Sequence, residues 1–170
     1  MNIESYIRNV PDFPKPGIVF KDITPLLANH EAVRFTAKSL LALVGNVKVD
    51  KVIGIESRGF FFAMLLAREA NAGFVPVRKP NKLPYKRIKE TYELEYGTDT
   101  LEMHEDAIKP GEKVLVHDDV LATGGTAAAV CRLVEKLGGE VVQCNFLIEL
   151  SFLKGREKID GYDVRSLLRY

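Results

Sequence analysis

The residues best suited by type and spacing to carry out chemistry lie between positions 114 and 126. An apolar run there leads into two adjacent acids, Asp118 and Asp119, followed by a loop of small residues and a predicted helix. Glycines allow backbone N–H groups to converge on one anion, threonine hydroxyls add donors, and the first turn of a helix favours negative charge. The sequence therefore predicts a phosphate-binding loop formed by Ala122, Thr123, Gly124, Gly125 and Thr126.

The two acids narrow the kind of ligand, because carboxylates beside a phosphate site repel the phosphate unless they bind something else. They can accept hydrogen bonds from hydroxyl groups or hold Mg²⁺. A phosphorylated sugar fits, with its 5′-phosphate in the loop and its 2′- and 3′-hydroxyls against Asp118 and Asp119. The alternative is an acidic strand end that caps the following helix. The segment matches neither GxxxxGK(S/T) nor GxGxxG, which disfavours a nucleoside triphosphatase and a dinucleotide-binding protein.

Alternating strands and helices are predicted to position this segment. Apolar runs predict buried strands at residues 51–55, 73–77, 113–117, 140–150 and 162–168. Helical spacing predicts helices at residues 30–44, about 60–70 and 126–137. Such alternation is typical of an α/β fold, in which a mostly parallel central sheet is flanked by helices. Ligands of these sheets bind at the carboxyl ends of the strands, where the two acids are expected.

Two stretches interrupt the alternation. Residues 10–17 hold three prolines and a glycine and are predicted to be irregular or extended. The basic, proline-broken residues 78–87 are predicted to form an exposed, mobile loop. After it, residues 92–96 and 100–103 alternate polar and apolar side chains, with Gly97 at the turn. This pattern predicts an antiparallel hairpin inserted after the second strand of the sheet.

Composition limits the classes of protein to consider. The chain has 170 residues, 46% of them hydrophobic and 28% charged, which fits one globular domain over residues 1–170. The formal net charge of +1 gives no support for nucleic-acid binding. The longest apolar run, residues 60–67, is too short to span a membrane, and no secretory signal is visible. Cys131 and Cys144 lack the spacing of a metal site or a disulfide framework, so both are expected to be small buried residues of a cytoplasmic protein.

The phosphate segment resembles the phosphoribosyl-pyrophosphate signature of the type I phosphoribosyltransferase family. Residues 12–26 are similar to the base-binding segment of its adenine-specific enzymes, 56–60 to their pyrophosphate loop, and 94–97 to their catalytic hood. The similarity extends from Ile7 to about Leu150. It implies the type I phosphoribosyltransferase fold as a single domain, with a base-binding segment at residues 1–28 and a flexible antiparallel hood inserted at residues 78–104.

The resemblance also implies the reaction. Enzymes of this kind transfer the 5-phosphoribosyl group from phosphoribosyl pyrophosphate to N9 of adenine, giving AMP and pyrophosphate in purine salvage. It implies a bound Mg²⁺ that is held mainly by oxygens of the substrate. Asp118 and Asp119 are the candidate protein ligands of this ion. It further implies a homodimer, because loop contacts in the family can come from a neighbouring subunit.

Site residues follow from the matched motifs. By resemblance, Arg58, Arg78 and Lys82 would contact the pyrophosphate, Tyr96 would shield it, and Glu95 would exchange a proton with the purine. From the sequence alone, Arg58 could instead pair with Glu56 at the surface, and Glu95 could be an ordinary polar residue of an alternating strand.

The base-binding match falls on Val19, Phe20 and Lys21. Phe20 would stack on the purine, although an ordinary core role is an alternative. Backbone groups of Val19 and Lys21 would read the 6-amino group and N1 of adenine. His117 occupies a usually apolar position and is expected to be structural, and no function is assigned to the segment after Leu150.

Two rival functions differ in features that the sequence displays. An enzyme for xanthine, hypoxanthine or guanine on the same fold generally builds its base pocket elsewhere, which the match at residues 12–26 argues against. A regulator that binds phosphoribosyl pyrophosphate to control nucleic acid should carry a DNA-binding extension or a basic face. The net charge of +1 argues against the regulator.

Overall fold

The computed structural model describes residues 1–93 and 97–170, which form two compact units, Met1–Ser39 and Leu40–Tyr170. The first unit contains a 3₁₀ helix at Ile3–Tyr6, the strands β1 at Arg8–Pro11 and β2 at Val19–Asp22, the short helix α1 at Thr24–Leu27, and the start of α2, His30–Val44. The second unit contains the end of α2 and all later elements. Asn29 accepts a hydrogen bond from the Ala32 amide at 2.9 Å, which explains why α2 begins where the sequence predicts.

The two strands of the first unit were not predicted individually. β1 and β2 pair antiparallel, with Val10 opposite Phe20. The turn between them includes Asp12 at φ 58° and Gly17 at φ 85°, and Gly17 donates its amide to Asp12 Oδ1 at 2.7 Å. These local bonds allow a proline-rich segment to fold back on itself.

The second unit contains, in chain order, β3 at Lys51–Ile55, α3 at Gly59–Glu69, β4 at Gly73–Val77, β5 at Arg87–Glu93, β6 at Thr98–His104, β7 at Lys113–Leu121, α4 at Gly125–Lys136, β8 at Glu140–Glu149, 3₁₀ helices at Ser151–Leu153 and Gly155–Ile159, and β9 at Val164–Arg169. Five of these strands form a sheet in the order β4-β3-β7-β8-β9, and every neighbouring pair is parallel. The predicted α/β fold with a parallel central sheet flanked by helices is confirmed.

The core of the second unit explains this arrangement. Strands buried on both faces need continuous apolar runs, and Val114, Leu115 and Val116 of β7 are fully buried. The α4 residues Ala127 to Val134, except Arg132, are buried in the same core, to which the hairpin also contributes Leu101 and Met103. Cys131 and Cys144 are buried free thiols there, as expected, and their sulfur atoms lie 3.5 Å apart, a contact that was not predicted.

β5 and β6 form the predicted antiparallel hairpin after β4, with Tyr92 opposite Asp99. The hairpin begins at Arg87, five residues before the predicted start at Tyr92. It is joined to the end of β4 by two backbone hydrogen bonds between Arg78 and Glu102, of 2.9 and 2.7 Å. This bridge places the start of the basic loop beside the hairpin.

Strand β7 is longer than predicted and ends at Leu121, not at His117. Asp118 pairs with Phe146, and Val120 pairs with Ile148, because the adjacent β8 continues to Glu149. The two acids therefore lie within the last residues of the strand. Strand length here is set by the neighbouring strand, which local sequence does not reveal.

Across the two described stretches of chain, no helix combines the length and apolar character that a membrane span requires.

Candidate active site

The carboxyl end of β7 holds the two acids in different surroundings. Asp119 is only 4% exposed, whereas Asp118 is partly exposed and accepts a hydrogen bond from the Asp119 amide at 2.9 Å. Burial, together with the charge of Asp119, raises the pKa of Asp118. Burial also raises the pKa of Asp119, against the opposing effect of the Arg58 charge. The pair therefore resists carrying two negative charges and is suited to hydroxyl groups or a cation.

Arg58 lies beside the acids. Its Nε is 2.8 Å from Asp119 Oδ2, so the predicted surface pair with Glu56 is not the contact that forms. Asp119 Oδ2 accepts no hydrogen bond of regular geometry from the described residues and stays buried. Arg58 directly precedes α3, and a Cβ at Gly59 would lie 2.7 Å from Asp118 Oδ1. A glycine at position 59 is thus required for α3 to begin this close to the acids.

The predicted phosphate loop connects β7 to α4. Gly124 has φ 80°, a left-handed conformation that glycine adopts without strain. A cavity of about 70 Å³ opens here, lined among others by Asp118, Ala122, Thr123, Gly124 and Thr126. It has room for a small anion, since one water occupies ~30 Å³. Gly125 does not line this cavity; it is the first residue of α4 and packs beside Tyr92.

Gly155 lies directly beside the phosphate loop, and this contact was not predicted from the sequence. Gly155, in the segment to which no function was assigned, packs against the loop so tightly that its Cβ would lie 2.2 Å from the Ala122 carbonyl oxygen. A Cβ at Gly124 would in turn lie 2.1 Å from the Gly155 carbonyl oxygen. The approach joins residues 31 positions apart, so no local pattern signals it.

An ion pair between the buried Glu149 and the partly exposed Arg156 holds Gly155 in place. Glu149, at the end of β8, accepts hydrogen bonds from Arg156 Nε at 2.6 Å and from its terminal nitrogen at 2.7 Å. Arg156 also donates to the Val164 carbonyl at 2.8 Å, which ties the 3₁₀ helix to β9. No local sequence pattern connects Glu149 or Arg156 with the phosphate loop.

Glu56 forms ion pairs with Arg78 and Lys82, two of the cations predicted to bind the pyrophosphate. Its mostly buried carboxylate accepts hydrogen bonds from Arg78 Nε at 3.1 Å, from the Lys79 amide at 2.9 Å and from Lys82 Nζ. Burial raises the pKa of Glu56, but these donors outweigh it and the pKa is lowered. Arg78 and Lys82 are therefore brought together, and Arg78 also lies over the Phe60 ring, 5.9 Å from its centre.

The candidate base-binding residues lie on β2 in the first unit. Val19 is 50% exposed and is opposite Pro11, which has no N–H to donate to it. The Phe20 ring meets the Phe13 ring edge-on, with centres 5.2 Å apart. Lys21 Nζ donates to Asn9 Oδ1 at 2.8 Å, so its side chain has a role within the strand pair. Glu95 and Tyr96 lie outside the described residues.

His117, directly before the acids, is fully buried. Its Nδ1 lies 3.0 Å from Asn145 Oδ1, and Asn145 donates to the Leu40 carbonyl at 3.0 Å. Burial lowers the pKa of His117 to about 4, so the ring is neutral at physiological pH. This environment agrees with the structural role expected from the sequence.

Known proteins match nearly the whole chain. The model of the phosphoribosyl transferase domain family matches residues 21–169. An adenine phosphoribosyltransferase from Christiangramia forsetii is 64% identical over 170 residues, which cover 100% of this chain and 99% of that protein.

Solved structures agree with this match. The adenine phosphoribosyltransferase of Rhodothermus marinus has 56% identity and a TM-score of 0.94, over 99% of this chain and 96% of that chain. The enzyme from Saccharomyces cerevisiae, complexed with D-2,5-dideoxy-2,5-imino-altritol 1,6-bisphosphate and adenine, has 41% identity and a TM-score of 0.91, over 96% of this chain and 95% of that chain.

Proposed function

The chain belongs to the adenine phosphoribosyltransferase family, and on that premise we propose which of its residues perform the reaction. The enzyme transfers the 5-phosphoribosyl group from phosphoribosyl pyrophosphate to N9 of adenine, giving AMP and pyrophosphate in purine salvage. Bond cleavage at C1 of the ribose gives the transition state oxocarbenium character. The site must therefore anchor the sugar, stabilise the leaving pyrophosphate and exclude water.

The junction of the acids and the phosphate loop carries the proposal. Ala122, Thr123, Gly124, Gly125 and Thr126 bind the 5′-phosphate, supported by the cavity at this loop and by the start of α4. Asp118 and Asp119 bind the ribose hydroxyls. The raised pKa values of both acids support this role, because a hydroxyl donor or a cation would relieve the burial of their charge.

Arg58, Arg78 and Lys82 bind the pyrophosphate. Each has a carboxylate partner in the structure, Asp119 for Arg58 and Glu56 for the other two. These partners hold the cations at the carboxyl ends of β3 and β4 before substrate arrives. Guanidinium groups suit the role because they donate paired hydrogen bonds to phosphate oxygens.

Mg²⁺ is the metal we propose for the reaction, and the donors at the end of β7 fit it. Asp118 and Asp119 supply carboxylate oxygens, the hard donors that Mg²⁺ prefers, and Asp119 Oδ2 is buried without a regular hydrogen bond from any described residue. These acids would hold the ion directly or through water, with most of its coordination coming from substrate oxygens. When bound, Mg²⁺ neutralises charge on the leaving pyrophosphate.

Glu95 and Tyr96 are assigned from the family motif. Glu95 exchanges a proton with the imidazole nitrogens of the purine as N9 attacks, and Tyr96 shields the pyrophosphate. Both belong to the connection between β5 and β6. The bridge between Arg78 and Glu102 supports this assignment, because it fastens the hairpin to the strand end where the pyrophosphate cations begin.

Val19, Phe20 and Lys21 bind adenine. Phe20 stacks on the purine, and backbone groups of Val19 and Lys21 read the 6-amino group and N1. Engagement of the Lys21 side chain by Asn9 supports a backbone role for Lys21. A 6-oxopurine would place its 6-oxo oxygen against the backbone acceptor that reads the 6-amino group of adenine. Two acceptors cannot hydrogen-bond to each other, which would weaken binding by about 1–3 kcal/mol.

We also propose a cytoplasmic homodimer without nucleic-acid or membrane partners. The free thiols of Cys131 and Cys144, 3.5 Å apart, fit a reducing compartment. Phe61 and Met64 are one helical turn apart on α3 and are 49% and 52% exposed, which supports a subunit contact there.

The experiment that tests the site is an assay with Mg²⁺, phosphoribosyl pyrophosphate and, separately, adenine, hypoxanthine, guanine and xanthine. We expect a nucleotide from adenine alone. The double variant Asp118→Asn/Asp119→Asn should lose activity on the order of 100-fold. Asp106→Asn, at an exposed acid, is the control and should keep activity. Full activity of the double variant would contradict the sugar-binding role, and a 6-oxopurine product would contradict the role of β2.

A further inference from the structure

Tyr92 of β5 joins the hairpin to the phosphate loop. Its buried hydroxyl accepts a hydrogen bond from Thr126 Oγ1 at 3.1 Å and donates one to Asp99 Oδ2 at 3.3 Å. Its ring packs against the first turn of α4, where a Cβ at Gly125 would lie 3.2 Å from Tyr92 Cδ2. One side chain thus contacts both a proposed phosphate ligand and the opposite strand of the hairpin.

The direction of these hydrogen bonds is fixed by Asp99. Lys79 Nζ forms an ion pair with Asp99 Oδ2, and the Thr100 amide donates to Asp99 Oδ1 at 2.8 Å. Burial raises the pKa of Asp99, but these donors outweigh it and the pKa is lowered, so the carboxylate is ionised and accepts only. The single hydroxyl proton of Tyr92 therefore points to Asp99, and Tyr92 accepts from Thr126.

A phosphate in the loop would change which hydroxyl group donates in the hydrogen bond between Thr126 and Tyr92. Phosphate oxygens accept hydrogen bonds, and Thr126 has only one hydroxyl proton to donate. Once Thr126 donates to phosphate, its oxygen can still accept a hydrogen bond from Tyr92. The Tyr92 proton then turns from Asp99 to Thr126, and Asp99 keeps its bonds to Lys79 and the Thr100 amide.

We propose that Tyr92 is a positioning residue that transmits occupancy of the phosphate loop to the β5–β6 hairpin by reversing its hydrogen bond with Thr126. The inference rests on the proposed binding of the 5′-phosphate at Thr126. Its consequence for the reaction is that filling the loop reorganises the two strands whose connection carries Glu95. Tyr92 need not touch the substrate.

Hydrogen–deuterium exchange with ribose 5-phosphate as the probe tests the proposal. This probe supplies the sugar phosphate without the pyrophosphate. We expect it to slow exchange in wild-type protein at the loop, residues 122–130. Exchange in the hairpin, residues 87–93 and 98–104, should become faster, because Tyr92 gives up its hydrogen bond to Asp99 on the opposite strand. In Tyr92→Phe, the loop should remain protected while exchange in the hairpin no longer responds to the probe. Tyr85→Phe, at an exposed tyrosine, should behave as wild type.

Kinetics give a second readout. Tyr92→Phe should lower kcat by about tenfold, the equivalent of one hydrogen bond, with a smaller change in KM for phosphoribosyl pyrophosphate. A purely structural role would not separate the response of the hairpin from that of the loop. A change in hairpin exchange that persists in Tyr92→Phe, or hairpin exchange that does not become faster in wild type while the loop is protected, would overturn the proposal. No protection of the loop in wild type would instead overturn the phosphate site on which it rests.

Discussion

Three consecutive ionisable residues at the end of β7 have pKa values shifted in opposite directions by the same cause, burial. Burial lowers the pKa of His117 and raises the pKa values of Asp118 and Asp119, so in each case the neutral form is favoured. The His117 ring has Asn145 as a partner within the protein. Asp119 has Arg58 as a partner within the protein, and both acids have a substrate hydroxyl or a metal ion as further proposed partners. These further partners distinguish the acids, as proposed binding groups, from the structural His117 on the same strand.

His117 makes the fold sensitive to acid. Its pKa is about 4 in the folded state and 6.5 when unperturbed, so below pH 6.5 the unfolded chain binds a proton that the folded chain does not. Stability is therefore lost as pH falls from 6.5 towards 4, by up to about 1.4 kcal/mol per pH unit. Urea unfolding of His117→Gln across this range should show a smaller loss than wild type.

The matched control for loss of one histidine is His30→Gln, at an exposed residue that begins α2. It should retain the acid sensitivity of wild type. If His117→Gln and His30→Gln depend on pH equally, His117 is not the group responsible.

At the scale of elements, the 3₁₀ helix Gly155–Ile159 supports the phosphate loop from outside the motif. Gly155 contacts the loop, and Arg156 fastens the helix to Glu149 at the end of β8. The loop geometry thus depends on an ion pair that touches none of the five predicted phosphate-binding residues. Because Arg156 is about a third exposed, its net contribution to stability is reduced by solvent screening.

Arg156→Lys tests this support. Lysine keeps the charge but cannot reproduce the paired hydrogen bonds to Glu149. We expect a loss of about 1–2 kcal/mol in the free energy of unfolding and a raised KM for phosphoribosyl pyrophosphate. Steady-state kinetics and urea unfolding measure the two effects.

Arg169→Lys is the comparison variant, because Arg169 Nε contacts the same Glu149 carboxylate at 3.3 Å but belongs to β9. It should leave KM unchanged. An equal rise in KM for both variants would show that hydrogen bonding to the Glu149 carboxylate, and not the position of Gly155, controls the loop.

At the scale of the whole molecule, α3 combines two functions. Its buried side, which includes Phe62 and Leu66, covers the sheet, while Phe61 and Met64 remain exposed. Exposed large apolar side chains on one helix face are typical of an interaction surface. The proposed second subunit would cover this face.

Sedimentation equilibrium tests the proposed dimer. Wild type should have twice the mass of one chain at micromolar concentration, and Phe61→Ser/Met64→Ser should dissociate towards the monomer because burial of both side chains favours association. Phe152→Ser, at an exposed phenylalanine outside α3, should leave the mass unchanged. A monomeric wild type would contradict the dimer, and a dimeric double variant would contradict this face as its interface.

Local sequence was sufficient for much of the fold and for part of the site. The strand β3, the helix α2 and the loop after β7 were predicted because apolar spacing and glycines act within a few residues. Strands β1 and β2 and the end of β7 were not, since their pairing depends on a partner elsewhere in the chain.

By itself, the sequence determined the paired acids, the glycine-containing loop that follows them and the family to which the chain belongs, because each is signalled by contiguous motifs. The tertiary structure decided which charged side chains form ion pairs. Arg58 pairs with Asp119, and Glu56 pairs with both Arg78 and Lys82. It also placed Gly155 against the phosphate loop. These contacts join residues 22 to 61 positions apart, such as Glu56 with Arg78 and Arg58 with Asp119. Folding of the sheet, and not local spacing, brings such residues together.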